Sequence, residues 1–169
     1  ISYYLRSLGY EARNHMDANY LVRLIPVAKS AGIGEIGANG LLVTKEYGPR
    51  IRLGVVTTNL KFKADKEVDF GLRYFCEKCE ICIKTCPAKA IELVDNLYAE
   101  KTYRHNQEKC YDKWRYFGTD CGICISMCPF SKKENIIKDL DTFKGEDNYI
   151  KAILRQVKED NIRRTIIKK

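Results

Sequence analysis

A chain of 169 residues, 45% hydrophobic and 31% charged, has material for about one domain with a partial neighbour and a buried core. It has no run of about eighteen apolar residues, which excludes a membrane-spanning helix. The formal net charge is +8, but basic and acidic residues interleave rather than gathering in one block, which argues against a nucleic-acid-binding arm.

Neither end reads as a natural terminus. Ile1-Ser2-Tyr3-Tyr4 lacks the basic start and apolar stretch of a signal peptide, and Ile166-Ile167-Lys168-Lys169 stops inside a basic helical pattern. The expectation is a piece of a longer protein. Three regions of different texture follow: residues 1–64, 65–135 and 136–169. The first is apolar and punctuated by glycine. Pro26, then Val27, Ala28 and Ala31, then Gly32 and Gly34, predict a short helix with proline in its first turn and glycine past its end. Leu41-Leu42-Val43-Thr44 predicts a buried strand, turned by Tyr47-Gly48-Pro49. Ile51, Leu53 and Val55 alternate with Arg50, Arg52 and Gly54, which predicts a strand with one buried face and two arginines on the other. Lys61 to Asp69 reads as a charged connector, and Tyr98 to Trp114 as a polar, aromatic loop. In the last region Tyr149, Ile150, Ile153, Leu154 and Val157 fall at helical spacing, predicting an amphipathic helix packed on the body.

The middle region carries the chemistry. Cys76, Cys79, Cys82, Cys86 and Pro87 spell C-x2-C-x2-C-x3-C-P, the run by which bacterial ferredoxins hold 4Fe–4S clusters, its fourth cysteine ligating the other cluster. Cys110, then Cys121, Cys124 and Cys128 with Pro129, answer it. Thiolates two residues apart wrap one corner of a cubane, and the intervening N–H groups point at its sulfides. Crossing the fourth ligand gives one cluster on Cys76, Cys79, Cys82 and Cys128, and a second on Cys86, Cys110, Cys121 and Cys124. Structural zinc takes paired C-x2-C units and needs neither the third cysteine nor the proline. A disulfide framework suits a smaller secreted chain, and three sulfurs this close cannot form independent bridges. Each oxidised core carries about +2 against four thiolates, so two clusters remove about four positive charges and leave a mildly basic protein.

An ordered series of further motifs adds to this. It runs Ser7-Leu8-Gly9-Tyr10, Ile25-Pro26-Val27-Ala28, Ala31-Gly32-Ile33-Gly34-Glu35-Ile36-Gly37, and the stretch from Gly40 to Arg50 with its Glu46-Tyr47-Gly48-Pro49-Arg50 turn. It continues through Val56-Thr57-Thr58-Asn59-Leu60, Asp69-Phe70-Gly71 and Phe75-Cys76, to the Gly118–Cys124 stretch and Cys128-Pro129-Phe130. Over about residues 5–135 this series resembles the reductive dehalogenases, corrinoid iron–sulfur enzymes that remove halide from organohalides. Epoxyqueuosine reductase, a related corrinoid enzyme that modifies tRNA, is similar at fewer of these motifs.

The resemblance implies an α+β fold. Residues 1–64 are then the closing part of a nitroreductase-like corrinoid domain, followed by a bacterial-type two-cluster ferredoxin domain. The two clusters relay electrons to a corrinoid (cobalamin), and an amino-terminal part outside this chain supplies much of its pocket and a tyrosine proton donor. It further implies a donor protein or membrane electron-transfer chain as partner, an organohalide substrate, peripheral membrane association through a partner, and a location on the outer face of the cytoplasmic membrane or in the cytoplasm. No nucleic-acid partner is expected. Such enzymes bind the corrinoid without a histidine below the cobalt, and neither His15 nor His105 lies in D-x-H-x-x-G; both read as solvent-facing or hydrogen-bonded.

On the same resemblance Asn19 and Arg52 are catalytic candidates that hold the proton donor or substrate. As sequence alone, Asn19 also reads as a turn cap, and Arg52 as an exposed strand arginine paired with a carboxylate. Thr44, Tyr47, Arg50 and Trp114 are candidate corrinoid contacts; turn structure for the first two, and shielding of a cluster for Trp114, are the alternatives. A free two-cluster electron carrier with an unrelated extension is the rival function of a different class. Anaerobic reconstitution is expected to yield about eight iron and eight sulfide per chain and a brown chromophore bleached by a low-potential reductant. Iron near half that value, or stoichiometric zinc, overturns the cysteine reading.

Overall fold

The computed structural model describes residues 1–16, 19–96, 99–131, 147, 150, 151, 153–155, 158 and 159. Helix α1 (Ser2–Ser7) leads into strand β1 (Ala12–His15). Helix α2 (Leu24–Ser30) carries Pro26 in its first turn and ends before Gly32, whose φ of +69° is left-handed and where a Cβ would strike the Lys66 carbonyl. Strands β2 (Glu35–Ile36) and β3 (Leu42–Val43) form a short antiparallel pair, with Glu35 opposite Val43. Leu42 and Val43 are buried, as the apolar run predicts.

Strand β4 (Val55–Thr58) corrects the second strand expectation. The alternation is present, with Arg50 and Arg52 exposed and Ile51 and Leu53 half-buried, but residues 51–54 form no ladder. The partner of β4 is β1, and the register runs from Ala12 opposite Thr58 to His15 opposite Val55, so pairing stops at Val55. Burial alternation follows from an extended backbone, and a strand needs a neighbour as well.

Helices α3 (Leu72–Cys79) and α4 (Ile81–Thr85) wrap the first cysteine motif, joined at Glu80. Residues 98–114 are also corrected. Tyr98 lies outside the described residues, but strands β5 (Ile91–Asn96) and β6 (Ala99–His105) form a hairpin, and helix α5 (Gln107–Phe117) follows. Nothing on α5 is fully buried, so it shows no apolar stripe to read. Its ends define it: the Asn106 side chain accepts the Lys109 N–H at 3.0 Å, and Gly118 closes the far end at φ +71°. Helix α6 (Ile123–Ser126) opens the second motif at Gly122, φ +57°, and Glu80 holds the matching place in the first motif at φ +50°. The two motifs are thus built on one backbone plan, with α4 and α6 in contact. A non-glycine residue accepts the left-handed conformation where cluster-wrapping geometry demands it.

The core joins four separate parts of the chain. Val43 from β3, Phe70, Leu72 and Phe75 around α3, Phe130 after the second motif, and Ile150 and Ile153 form one buried cluster. The Phe75 and Phe130 rings pack at 4.8 Å between centroids, tilted by 59°. The described residues of 147–159 are helical, and Leu154 also packs on this core; Tyr149 and Val157 of the predicted apolar face lie outside the described residues. Tyr74 donates a 2.6 Å hydrogen bond to Asp147, which further ties this helix to α3.

One carboxylate organises the entry to α3. Gly71, left-handed at φ +78°, offers no side-chain cap, and Glu35 from β2 supplies it: its oxygens accept the N–H groups of Phe70 at 3.3 Å and Leu72 at 3.0 Å. Burial raises the Glu35 pKa above its ordinary 4.5, opposed by those N–H bonds and assisted by the charge of Asp69. The folded state therefore holds this proton more tightly than the unfolded chain. The contribution to stability is largest in acid and declines as pH rises from 4.5 through the folded value. Glu35→Gln leaves one buried N–H unpaired and is expected to cost about 1–3 kcal/mol in anaerobic denaturation. It also removes that pH slope; a variant as stable as the parent with the slope intact contradicts the capping role.

Candidate metal centre

All eight cysteines are free thiols. Helices α3 and α4 carry Cys76, Cys79 and Cys82; Cys86 follows α4; Cys110 lies on α5; Cys121, Cys124 and Cys128 lie around α6. The fold gathers them in two groups. The sulfurs that act electrostatically on Cys76 are those of Cys128, Cys79 and Cys82. Those acting on Cys110 belong to Cys86 and Cys121, and those acting on Cys124 to Cys110, Cys86 and Cys121. Residues 76, 79, 82 and 128 thus stand together, as do 86, 110, 121 and 124. Cys82 and Cys128 also feel Cys124, so the groups are neighbours.

Among the described residues no three His, Cys, Asp or Glu side chains converge closely enough to hold a single ion. The first group instead lines a small pocket of about 20 Å³, with Phe75 and Phe130 among its walls. Burial raises the Cys79 thiol to about 11 and the Cys82 and Cys128 thiols to about 12, and lifts Cys76 well above the ordinary thiol range. Neighbouring sulfurs add to the rise at Cys76, Cys82 and Cys128. Such thiols stay protonated until positive charge arrives among them, and iron supplies it. Backbone donors are already aimed: Ile81 N–H at Cys79, Ile83 N–H at Cys82, Phe130 and Ser131 N–H at Cys128. The Ala90 N–H reaches the Cys86 sulfur at 3.3 Å. Four grouped thiols and inward N–H groups are the donor set that suits a polynuclear iron–sulfur core.

The remaining candidates are placed differently. Trp114, 40% exposed, hydrogen-bonds the Cys110 sulfur, which sets it against the second group as a cover. Thr44 is buried in a turn where its Oγ1 accepts the Tyr47 N–H at 3.2 Å, while Tyr47 is 61% exposed. Gly48 in that turn meets the Phe130 carbonyl, leaving no room for a Cβ. Arg50 donates to the Tyr47 carbonyl at 3.4 Å, and Arg52 is exposed; neither lies on a strand. Asn19 is exposed and accepts from Arg13 at 3.3 Å. His15 is buried rather than solvent-facing. Its Nδ1 accepts the Leu21 N–H at 3.2 Å, so Nε2 carries the proton and donates to Thr57 Oγ1 at 3.0 Å, pinning the segment that holds Asn19.

A cleft of about 540 Å³ opens beside Cys76, lined by Gly37, Ala38, Gly40 and Tyr103 together with charged residues such as Asp69 and Arg73. None of Asn19, Thr44, Tyr47, Arg50, Arg52 or Trp114 lines it. Three participants escape sequence reading. Glu35 caps the cluster helix, and its one signal is a lone acid between Gly34 and Gly37. The Ala38 N–H hydrogen-bonds Cys76, a backbone role with no signature. Tyr103 comes near Cys76 only through the hairpin.

Residues 75–132 match the 4Fe–4S dicluster domain. A tetrachloroethene reductive dehalogenase of Desulfitobacterium hafniense is 38% identical over 128 residues, 68% of this chain and 23% of that protein. A solved reductive dehalogenase, whose structure is described as suggesting a mechanism for B12-dependent dehalogenation, superposes with a TM-score of 0.75 at 29% identity, covering 92% of this chain and 23% of that one. The relatives of this chain thus include reductive dehalogenases. An epoxyqueuosine reductase of Lactococcus garvieae is 46% identical over 67 residues, 40% of this chain and 18% of that protein. The chain spans about a quarter of the dehalogenases it matches. Both kinds of relative are oxidoreductases, and the homology with the dicluster domain supports iron–sulfur electron transfer.

The crossed grouping makes a direct prediction. Cys86→Ser is expected to give the same electron paramagnetic resonance loss as Cys121→Ser, and Cys128→Ser the same loss as Cys79→Ser. A Cys86→Ser spectrum matching that of Cys79→Ser rules the crossing out.

Proposed function

We propose that this chain is the carboxy-terminal portion of a corrinoid- and iron–sulfur-dependent reductive dehalogenase. In this reading Cys76, Cys79, Cys82 and Cys128 hold one 4Fe–4S cluster and Cys86, Cys110, Cys121 and Cys124 the other. Residues 1–64 close a nitroreductase-like corrinoid domain. The observation that carries it is the joint between residues 1–64 and the first cysteine group: Glu35 caps the helix bearing Cys76, and Ala38 N–H bonds its sulfur. A free electron carrier has no use for an extension locked to its cluster, and the likeness to the dehalogenases runs across both parts. The shorter match to epoxyqueuosine reductase favours that enzyme less.

Reduction of a carbon–halogen bond takes two electrons and a proton, R–X + 2e⁻ + H⁺ → R–H + X⁻, and two one-electron centres suit that demand. The electrons enter from a donor protein or a membrane electron-transfer chain. Of the residues that the resemblance assigns to the corrinoid, Tyr47 and Arg50 are exposed, Trp114 is partly exposed and Thr44 is buried in its turn. Tyr20, Leu21, Tyr47 and Phe62 are all more than half exposed, as suits a face covered by the rest of a larger protein. Holding the corrinoid falls to this surface together with that remainder; when bound, it supplies redox-active cobalt. Arg52 stabilises the anionic form of the proton donor, because a guanidinium stays charged throughout. Asn19 orients the same group without neutralising it.

The deciding experiment supplies the full-length protein with a low-potential reductant and a panel of organohalides. One halide released per two electrons supports the reading. Reduction of epoxyqueuosine in tRNA assigns the chain to the second family, and electron passage without either product leaves a carrier. In the active protein Arg52→Ala is expected to lower halide release on the order of 10²-fold with iron and corrinoid content unchanged, and Asn19→Ala to cost less. Full activity of Arg52→Ala beside an inactive Arg50→Ala transfers the role to Arg50.

A further inference from the structure

The Tyr103 hydroxyl has no hydrogen-bond partner among the described residues, although its oxygen is shielded from solvent. Buried hydroxyls without partners are costly and rare, and one that persists calls for a partner absent from the protein chain itself. Its position on β6 indicates which partner. Tyr103 shares the wall of the cleft with Cys76. The groups that act on it electrostatically are Cys76 most strongly, then Glu77, Glu80 and Cys82, so two of the four are cysteines of the first group. Glu77 is engaged by Arg73 and Glu80 by Lys84. Burial and these neighbours push the phenol well above its ordinary range, so it remains a hydrogen-bond donor. The other donors reaching this group are backbone N–H groups, which no side-chain substitution removes.

We propose that Tyr103 donates an O–H···S hydrogen bond to the first iron–sulfur cluster and thereby raises its reduction potential. Hydrogen bonds to cluster sulfurs favour the more negative, reduced state. The hairpin between the two cysteine motifs is then a tuning element that brings one donor to the cluster beside the cleft. The covering tryptophan provides a counterpart at Cys110 in the second group.

This inference rests on the iron–sulfur reading and is tested apart from it. In the full-length protein the first cluster is identified by its loss in Cys79→Ser, and both clusters are titrated against a poised mediator by electron paramagnetic resonance. With the potential held at the parent midpoint of the first cluster, Tyr103→Phe is expected to lower its reduced-to-oxidised ratio about threefold to tenfold. A tenfold change corresponds to about 59 mV for one electron. The second cluster stays where it was. Placing 3-fluorotyrosine at position 103, a stronger donor of nearly the same shape, shifts the ratio the opposite way, which a packing role does not do. A protein that binds no iron refutes the iron–sulfur reading itself. A fully loaded protein whose first-cluster ratio is unmoved in both variants, or moves alike in both, refutes the role of Tyr103.

Discussion

A buried carboxylate at the mouth of one helix holds the two parts of this molecule in register. Glu35 spans from β2 to the start of α3, accepting the Phe70 and Leu72 N–H groups where Gly71 brings no cap of its own. Helix α3 then delivers Phe75 to the core and Cys76 and Cys79 to the metal centre. Three residues beyond Glu35, the Ala38 N–H closes the same joint at the Cys76 sulfur. A charge is placed in a site that disfavours it, and two hydrogen bonds compensate. Removing either side leaves the other buried and unpaired, so the joint specifies one geometry.

Around that joint the packing serves the cysteines. The core lies directly against Cys76, Cys79 and Cys128, with Phe75 and Phe130 immediately before and two residues after the ligand runs. Helical residues from the last region seal it through Ile150 and Ile153. The result is a dry wall on one side of the first thiol group and the cleft on the other. Low polarity raises the thiols and strengthens each N–H directed at them, so the site resists being charged until a cation-rich core supplies the balance. The second group is less enclosed: α5 has no buried residue, and Trp114 covers Cys110 while remaining partly in solvent. The two groups share a backbone plan, with Glu80 and Gly122 in matching left-handed positions, but differ in depth.

The open surface of residues 1–64 contrasts with this packed centre. Its short strand pairs bury Leu42, Val43 and His15, while Tyr20, Leu21, Tyr47 and Phe62 remain accessible. The Thr44–Gly48 turn is pressed onto Phe130 and leaves no space for a side chain at Gly48, so this part of the chain packs closely where it meets the cysteine groups.

The metal chemistry was legible in the amino-acid order because cluster ligation is local: C-x2-C-x2-C-x3-C-P states its geometry within eleven consecutive positions, Cys76 to Cys86. The helix at Pro26 and the buried strand at Val43 were legible for the same reason, since proline, glycine and apolar runs act over a few residues. The lack of a strand at Arg52 was not, because a ladder needs a partner and β1 ends at His15. The hairpin and α5 were hidden by polar surfaces without periodicity. Glu35 capping a helix 37 residues away, and Tyr103 meeting Cys76 across the hairpin, depend on contacts between distant segments. Sequence alone thus determined the cysteine spacing that matches a 4Fe–4S dicluster domain. Tertiary structure decided how deeply each thiol is buried and which donors face it, because burial and hydrogen bonding are properties of neighbours in space, not neighbours in the chain.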